Sequence, residues 1–279
     1  MPPIMTREQK FETFVALHAR QGAFVIPNPW NVGTARILTA LGFEALATTS
    51  AGYAFSVGRR DSSGALMRDE ILDNAMSIAE ATPLPVSADL EDGFGRAPEI
   101  CAATIRLAAD IGLAGGSIED ATGDSRNPIY EFELAVERIA AAAETARHCR
   151  FLLTARAENF LHGRRDLGDT IRRLQAFAAA GADVLYAPGL PNLDAIREVC
   201  ASVSKPVNVV MGLKGPAYSI EELTGVGVKR ISVGGSFARA ALGAFVRAAR
   251  EVRDRGTFTY AADALPHAEA HRFMAEGRR

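Results

Sequence analysis

Asp89, Glu91 and Asp92 fall within four residues of one another in the stretch Val86-Ser-Ala-Asp-Leu-Glu-Asp-Gly-Phe-Gly95. Residues 84–88 are short, mostly apolar and preceded by Pro83, so they read as a buried strand. The acids therefore sit where that strand ends. The chain then turns through Gly93 and Gly95 into a predicted helix with Pro98 in its first turn. Unpaired carboxylates at the exit of a buried strand are costly. A hard divalent cation removes that cost, and Mg²⁺ takes one or two carboxylates while keeping several waters. The plainer reading is a solvated loop that happens to be acidic. What the other elements bring to the same place decides between the two.

Those elements alternate regularly. A leading amphipathic helix is predicted over 6–19, followed by strands at 23–27, 45–49, 84–88, 116–119, 151–155, 184–187, 206–210 and 230–233. Helices are expected between them at 32–41, 68–81, 98–111, 130–146, 169–180, 193–200 and 219–223, and after the last strand at 237–252. Eight uninterrupted strand-then-helix units imply a parallel sheet closed into a (β/α)₈ TIM barrel. No GxGxxG follows the first strand, which weighs against a doubly wound open sheet. No low-complexity linker interrupts the 279 residues, so a single domain is expected over 1–279, with residues 257–279 forming a C-terminal helical extension.

Composition narrows the function classes. The net charge of −2 and the lack of a basic cluster give no case for nucleic acid. No apolar run is long enough to span a membrane, and the first residues lack the apolar core of a signal peptide. Cys101, Cys149 and Cys200 show no CxxC spacing and fall on predicted helices, where they read as small buried hydrophobes. A cytoplasmic protein acting on small molecules is the expectation.

In a barrel of this kind the active site lies at the C-terminal ends of the strands. These positions carry Trp30, then Thr49, Ser50, Ala51, Gly52 and Tyr53, with Asp61 further along the same loop. They also carry Asp89 and Glu91, Glu119 and Asp120, Arg156 and Glu158, and Asn208. Carboxylates on strands three and four beside an arginine on strand five suit a metal and an anion together. Small residues after strand two leave backbone N–H groups to face an oxyanion. The chemistry implied is that of a small, oxygen-rich dianion bound to Mg²⁺.

Several segments resemble the isocitrate lyase/phosphoenolpyruvate mutase superfamily: Pro27-Asn-Pro-Trp-Asn31, Thr48-Thr-Ser-Ala-Gly52, Ser87-Ala-Asp-Leu-Glu-Asp-Gly-Phe-Gly95, Ile118-Glu-Asp120, Ala155-Arg-Ala-Glu158 and the strand around Asn208. The resemblance implies a TIM barrel whose eighth helix is exchanged between subunits of a homodimer, two dimers making a homotetramer. It also implies Mg²⁺ (or Mn²⁺) and bond making or breaking beside an α-keto or enol acid. By this resemblance Asp89, Glu91 and Glu119 are the metal carboxylates, and Asp61 approaches the metal site. Thr49, Ser50 and Ala51 hold a substrate oxygen, Arg156 grips a carboxylate, and Asn208 lines the pocket.

The departures narrow the activity. The superfamily's isocitrate and methylisocitrate lyases carry a Lys-Cys-Gly-His type sequence in the loop after strand four. Here that loop is Ala121-Thr-Gly-Asp-Ser-Arg-Asn-Pro-Ile129, without cysteine, histidine or lysine, and Arg126 is its best candidate for a substrate contact. Phosphoenolpyruvate mutase has a histidine after strand six, where this chain has Tyr186-Ala-Pro188. The expectation is a Mg²⁺-dependent lyase cleaving a C–C bond of a small α-keto or 2-hydroxy di- or tricarboxylate through an enolate. Tyr53, Asp61 and a metal-bound water are the proton-carrier candidates. A decarboxylase or hydrolase of oxaloacetate-like acids and a non-catalytic keto-acid-binding barrel are the alternatives. His267 and His271, spaced along one helical face, and Lys214, after strand seven, are polar features with a surface role as the plainer reading.

Overall fold

The computed structural model describes residues 5–61, 64–212 and 215–275. Helix α1 (Arg7–Ala19) opens with a capping box, in which the Thr6 hydroxyl accepts from the Gln9 N–H and the Gln9 side chain accepts from the Thr6 N–H. It lays Phe14 and Leu17 against Phe24, Ala45, Ala114, Leu152 and Val184, residues at or just before the starts of five strands. That apolar cluster plugs the N-terminal end of the barrel.

The strands β1 (Phe24–Ile26), β2 (Leu46–Ala47), β3 (Val86–Asp89), β4 (Gly115–Glu119), β5 (Leu152–Arg156), β6 (Val184–Tyr186), β7 (Val207–Val210) and β8 (Arg230–Ser232) are all parallel. The sheet order runs β1-β8-β7-β6-β5-β4-β3-β2, with β1 and β2 as its two ends. Their seam is drawn shut where the Ala47 N–H donates to the Pro27 carbonyl at 3.0 Å and the Asn28 amide donates to the Thr48 carbonyl at 2.9 Å. Eight parallel strands with helices outside make a nearly closed TIM barrel, as the alternation predicted.

The outer ring is α2 (Val32–Ala40), α4 (Arg68–Glu80), α5 (Pro98–Asp110), α6 (Phe132–Cys149), α7 (Leu167–Ala180), α8 (Leu193–Ser202) and α9 (Ile220–Gly225). Alanines let α5 and α6 approach closely; Ala108, Ala109, Ala135, Ala142, Ala143 and Ala146 are all buried. Cys101, Cys149 and Cys200 lie on α5, α6 and α8 as unpaired thiols.

One element departs from the predicted pattern, and the last barrel helix stands apart from the ring. Residues 50–56, expected as loop, form a short helix α3 (Ser50–Ser56), capped by Thr49, whose hydroxyl accepts from the Gly52 N–H. Its run of small residues has no helical apolar period, so the cap was the only local signal. That last helix is α10 (Ser236–Arg255), which follows β8 yet is buried only at Ala238. It packs within the chain on α3 and on a 3-10 turn at Thr259–Asp263. The extension ends in α11 (His267–Ala275), held on α2 by the buried Phe273 and by Arg36 donating to the Met274 carbonyl at 3.1 Å. His267 and His271 are exposed there.

Candidate active site

Strand register places the chemistry. In parallel pairing Glu119 stands beside Arg156, Arg156 beside Tyr186, Tyr186 beside Asn208, and Asn208 beside Arg230. Residues level with one another in a sheet share a face. One row across β4 to β8 therefore points an acid, a cation, a phenol, an amide and a second cation into the barrel. A slip of one residue on any strand would turn its member outward.

These side chains line a cavity of about 750 Å³ opening at the C-terminal ends of the strands. Thr49, Ser50, Ala51, Asp61, Asp89, Glu91, Glu119, Arg156 and Asn208 all reach it. Trp30, Gly52 and Tyr53 do not. Trp30 and Gly52 line a separate hollow against α10, with Ala238, Leu242 and Phe245, and Tyr53 packs half-buried on the core from α3. Arg126, the expected contact from the 121–129 loop, points into solvent beside Asp124, while Asp124 and Ser125 face the cavity instead. Lys214 lies outside the described residues.

Arg156 is the hub. Its Nη1 donates to Asp89 Oδ1 at 3.1 Å, its Nη2 lies 3.0 Å from Glu119 Oε2, and its Nε donates to Glu158 Oε1 at 2.9 Å. The guanidinium also lies 5.0 Å from the centre of the Tyr186 ring. Burial works against its charge, but Glu119, Glu158 and Asp89 outweigh that and hold its pKa well above the usual arginine value. Asp89 is fixed from the other side, its Oδ2 accepting from the Ser50 N–H at 3.2 Å and the Ser50 hydroxyl at 2.9 Å. Its own N–H donates to Thr48 Oγ1 at 2.9 Å. The first turn of α3 thus aims an N–H at Asp89, a consequence of the Thr49 cap.

The acidic turn after β3 is bent by two non-glycine residues with positive φ, Glu91 at 49° and Phe94 at 65°. Asp92 also lines the cavity, but its carboxylate is already engaged: it accepts from the Phe94 N–H and the Tyr130 hydroxyl. The fully buried Arg138 ties the same turn down by donating to the Asp92, Gly95 and Arg96 carbonyls. Asp120 pairs with Arg173 at 3.1 Å and accepts from the Glu158 N–H at 2.8 Å, which seats Glu158 beneath Arg156.

Negative charge crowds this rim. Burial, then Asp89, Asp92 and Asp61, push the Glu91 carboxyl up to about 8, with Arg156 opposing. Burial and then Asp89 raise Asp61. Burial raises Glu119 far above the usual carboxylate range, Arg156 opposing and Glu158, Asp89 and Glu91 adding to it. Among the described residues no three such side chains already converge as a metal cage. The donor set still fits Mg²⁺, which asks for only one or two carboxylates completed by water. Asp89, Glu91 and Glu119 offer oxygens whose mutual repulsion a divalent cation would relieve.

Glu158, Tyr186, Ser232 and Arg230 also line the cavity. Glu158 was visible in the sequence two residues after Arg156 without a role. Arg230 carried one overlooked signal, an arginine at the start of a strand predicted to be buried.

Comparison with known proteins agrees with this architecture. The sequence model of the phosphoenolpyruvate phosphomutase family matches residues 14–253. A 2-methylisocitrate lyase of Shewanella oneidensis is 33% identical over 214 residues, covering 72% of each chain. An uncharacterised protein of Mycobacterium tuberculosis is 33% identical over 245 residues, 87% of this chain and 89% of its own. A crystal structure from Burkholderia cenocepacia, named only as a lyase/mutase, superposes with a TM-score of 0.94 at 58% identity over 96% of both chains. An oxaloacetate acetylhydrolase bound to oxalate superposes with a TM-score of 0.86, covering 95% of this chain and 94% of its own; at 24% identity this is a likeness of fold. The chain belongs to the phosphoenolpyruvate phosphomutase family, within the isocitrate lyase/phosphoenolpyruvate mutase superfamily of lyases and mutases.

Proposed function

We propose that this protein is a Mg²⁺-dependent lyase that breaks a C–C bond in a small α-keto or 2-hydroxy dicarboxylate, releasing one fragment as an enolate. The observation that carries the reading is Arg156 surrounded by Asp89, Glu119 and Glu158 on one cavity wall. Asp89, Glu91 and Glu119 would hold the ion, partly through water, and Mn²⁺ could take the same place. When bound, the metal supplies Lewis acidity for the substrate's α-oxygen and for the enolate.

The chain's own groups do the rest. Arg156 fixes the substrate carboxylate next to the reacting carbon; its three nitrogens are oriented by acids before any ligand arrives. The α3 N-terminal turn and Thr49 confine the α-oxygen. For a 2-hydroxy acid, a base removes the hydroxyl proton, the C–O bond becomes a carbonyl, and the C2–C3 bond breaks with its electron pair left on C3. A proton delivered to C3 completes the reaction. Asp61 faces the cavity and is the side chain we assign to the proton; Tyr53 does not reach it.

Hydrolysis of an oxaloacetate-like acid on the same groups is the second reading. The 121–129 loop favours it, because that loop presents Asp124 and Ser125 to the cavity where a thiol acid would be needed for isocitrate-type cleavage.

Thermal unfolding with Mg²⁺ across a panel of keto and hydroxy acids, followed by product analysis, tests the proposal. A ligand at about 100 times its Kd stabilises the fold by about 2.7 kcal/mol. Asp89→Ala should abolish the metal-dependent part of that shift and lower turnover by at least about 1000-fold, equivalent to roughly 4 kcal/mol. If the variant keeps both, the metal site is elsewhere. Binding without any product would favour a non-catalytic keto-acid-binding protein.

A further inference from the structure

Tyr186 is a polar member of the inward-facing row that the proposed reaction leaves without a task. It ends β6 with its Cα level with Arg156 on one side and Asn208 on the other. The Ala157 N–H fixes its backbone by donating to the Tyr186 carbonyl at 2.9 Å. Its ring lies 5.0 Å from the Arg156 guanidinium and forms part of the cavity wall. The other side chains of the row are engaged inside the protein. Glu119 and Arg156 hold each other at 3.0 Å. Arg230 donates from Nε to Asn208 Oδ1 at 2.8 Å and from Nη2 to Thr154 Oγ1 at 2.9 Å. The Asn208 amide nitrogen donates to Ser232 Oγ at 3.0 Å. Among the described residues the Tyr186 hydroxyl has no such partner, whereas that of Tyr130 donates to Asp92 Oδ2 at 2.9 Å.

A phenol taken into a protein interior normally finds an acceptor. Since Tyr186 lines the cavity, the acceptor left to it is an oxygen of the bound acid. A phenol keeps its proton at neutral pH, and burial raises the Tyr186 pKa further, with Arg156 and Arg230 opposing and Glu158 and Asp89 adding. Tyr186 therefore serves as a donor and not as a base. Arg156 sets which oxygen it meets, because the carboxylate fixed by Arg156 next to the reacting carbon comes to rest beside the Tyr186 ring. When the C2–C3 bond breaks, its electron pair stays on C3 and spreads onto the adjoining carboxylate, which passes from one negative charge to two. A hydrogen bond to an anion strengthens as charge gathers on it, most of all where water is excluded. The gain falls on the transition state and not on the bound substrate.

We propose that Tyr186 is a catalytic residue whose hydroxyl donates a hydrogen bond to the carboxylate oxygen on which the enolate charge collects. This rests on the C–C lyase reading above and gives the enolate a protein donor besides the Arg156 fork. No proton changes hands at Tyr186: the proton that Asp61 takes from the 2-hydroxyl is the one that C3 receives, and the phenol stays neutral throughout. Arg156 contributes to the donor as well. Its guanidinium anchors the ring by cation–π attraction, and its charge draws electron density from the phenol, which makes the O–H a stronger donor.

Tyr186→Phe removes the hydroxyl and keeps the ring on which Arg156 rests. The Mg²⁺-supplemented full chain is assayed with malate, 3-methylmalate and oxaloacetate. For the acid that is cleaved, kcat should fall about 100-fold or more, the loss seen when one oxyanion donor is removed. KM, and the affinity for the acid by calorimetric titration, should stay within about threefold of native, because the bond gains its strength only in the transition state. The melting temperature should not change, since the hydroxyl has no protein partner to lose. A kcat within about threefold of native overturns the proposal; a raised KM at native kcat is the mark of uniform binding. A melting temperature lowered by several degrees overturns it too, because the hydroxyl would then serve the fold. Both outcomes leave the lyase reading standing. Native protein that cleaves none of the three acids removes both.

Discussion

At the scale of single residues, the site is a problem in charge placement. Three acids hold Arg156, and each is itself oriented: Asp89 by Ser50, Glu158 by Asp120 through its backbone, Glu119 by the β4–β5 register. Glu158 is the least exposed of the three and touches both Nε and Nη2. Glu158→Gln keeps the volume and removes the charge, so it should cost about 1.5–3 kcal/mol, the worth of a hydrogen bond to a charged group. Urea unfolding measures that loss. Because the same bond aims Arg156, KM for the acid substrate should rise as well. A variant of native stability and native KM would show that Asp89 and Glu119 orient the arginine unaided.

Elements decide which residues can meet. Gly52 illustrates this, because as a sequence position it belonged to an oxyanion loop and in the fold it lies in the first turn of α3. A Cβ there would come within 2.7 Å of Thr49 Cγ2, 3.0 Å of Trp30 Cβ and 3.3 Å of Ala238 Cβ. Its smallness lets α3, the β1 exit and α10 close on one another. Gly52→Ala should destabilise by about 1–3 kcal/mol through overpacking, read in denaturant melts, and should disturb the Thr49 cap that aims Ser50. Native stability of that variant would mean that Thr49, Trp30 and α10 all give way without cost.

The seating of α1 against the barrel floor has a pH dependence of its own. Burial, then the Arg230 charge, push the His18 pKa from 6.5 down to about 3. The unfolded chain takes up this proton first, so His18's contribution is intact above about pH 6.5 and is lost progressively as pH falls towards 3. Between pH 6.5 and 5 the loss should reach about 2 kcal/mol, at roughly 1.4 kcal/mol per pH unit. His18→Gln should flatten that part of the stability–pH curve; an unchanged slope would mean that His18 is protonated in the fold.

For the molecule as a whole, α10 is the unbalanced element. Phe245 is 70% exposed on it, and Phe237, Leu242 and Val246 are exposed as well. An apolar helix face of this kind is an association surface. We propose that α10 packs on a second copy of the chain, giving the homodimer or homotetramer that the family resemblance implies. Phe245→Arg should shift sedimentation towards the monomer, lower the melting temperature and make it depend less on protein concentration. A native protein that sediments as a monomer at micromolar concentration would remove the proposal. Among the described residues no helix is long and apolar enough to cross a membrane.

The sequence alone determined the barrel, because a strand-length apolar run followed by a helix-length segment is a local signal, and it recurs eight times. It determined most of the rim too: Asp61, Asp89, Glu91, Glu119, Arg156 and Asn208 follow from the rule that barrel sites gather at strand ends. Only the tertiary structure decided which way side chains face. Tyr53 and Arg126 have the chemistry of site residues, but α3 turns one into the core and a tight loop turns the other into solvent. Arg230 looked like an ordinary strand residue until register set it level with Asn208 and closure of the ring brought Thr154 and His18 around it. Type and spacing along the chain report what a residue can do. Whether a charge is answered depends on groups up to 212 positions away, which no local pattern encodes.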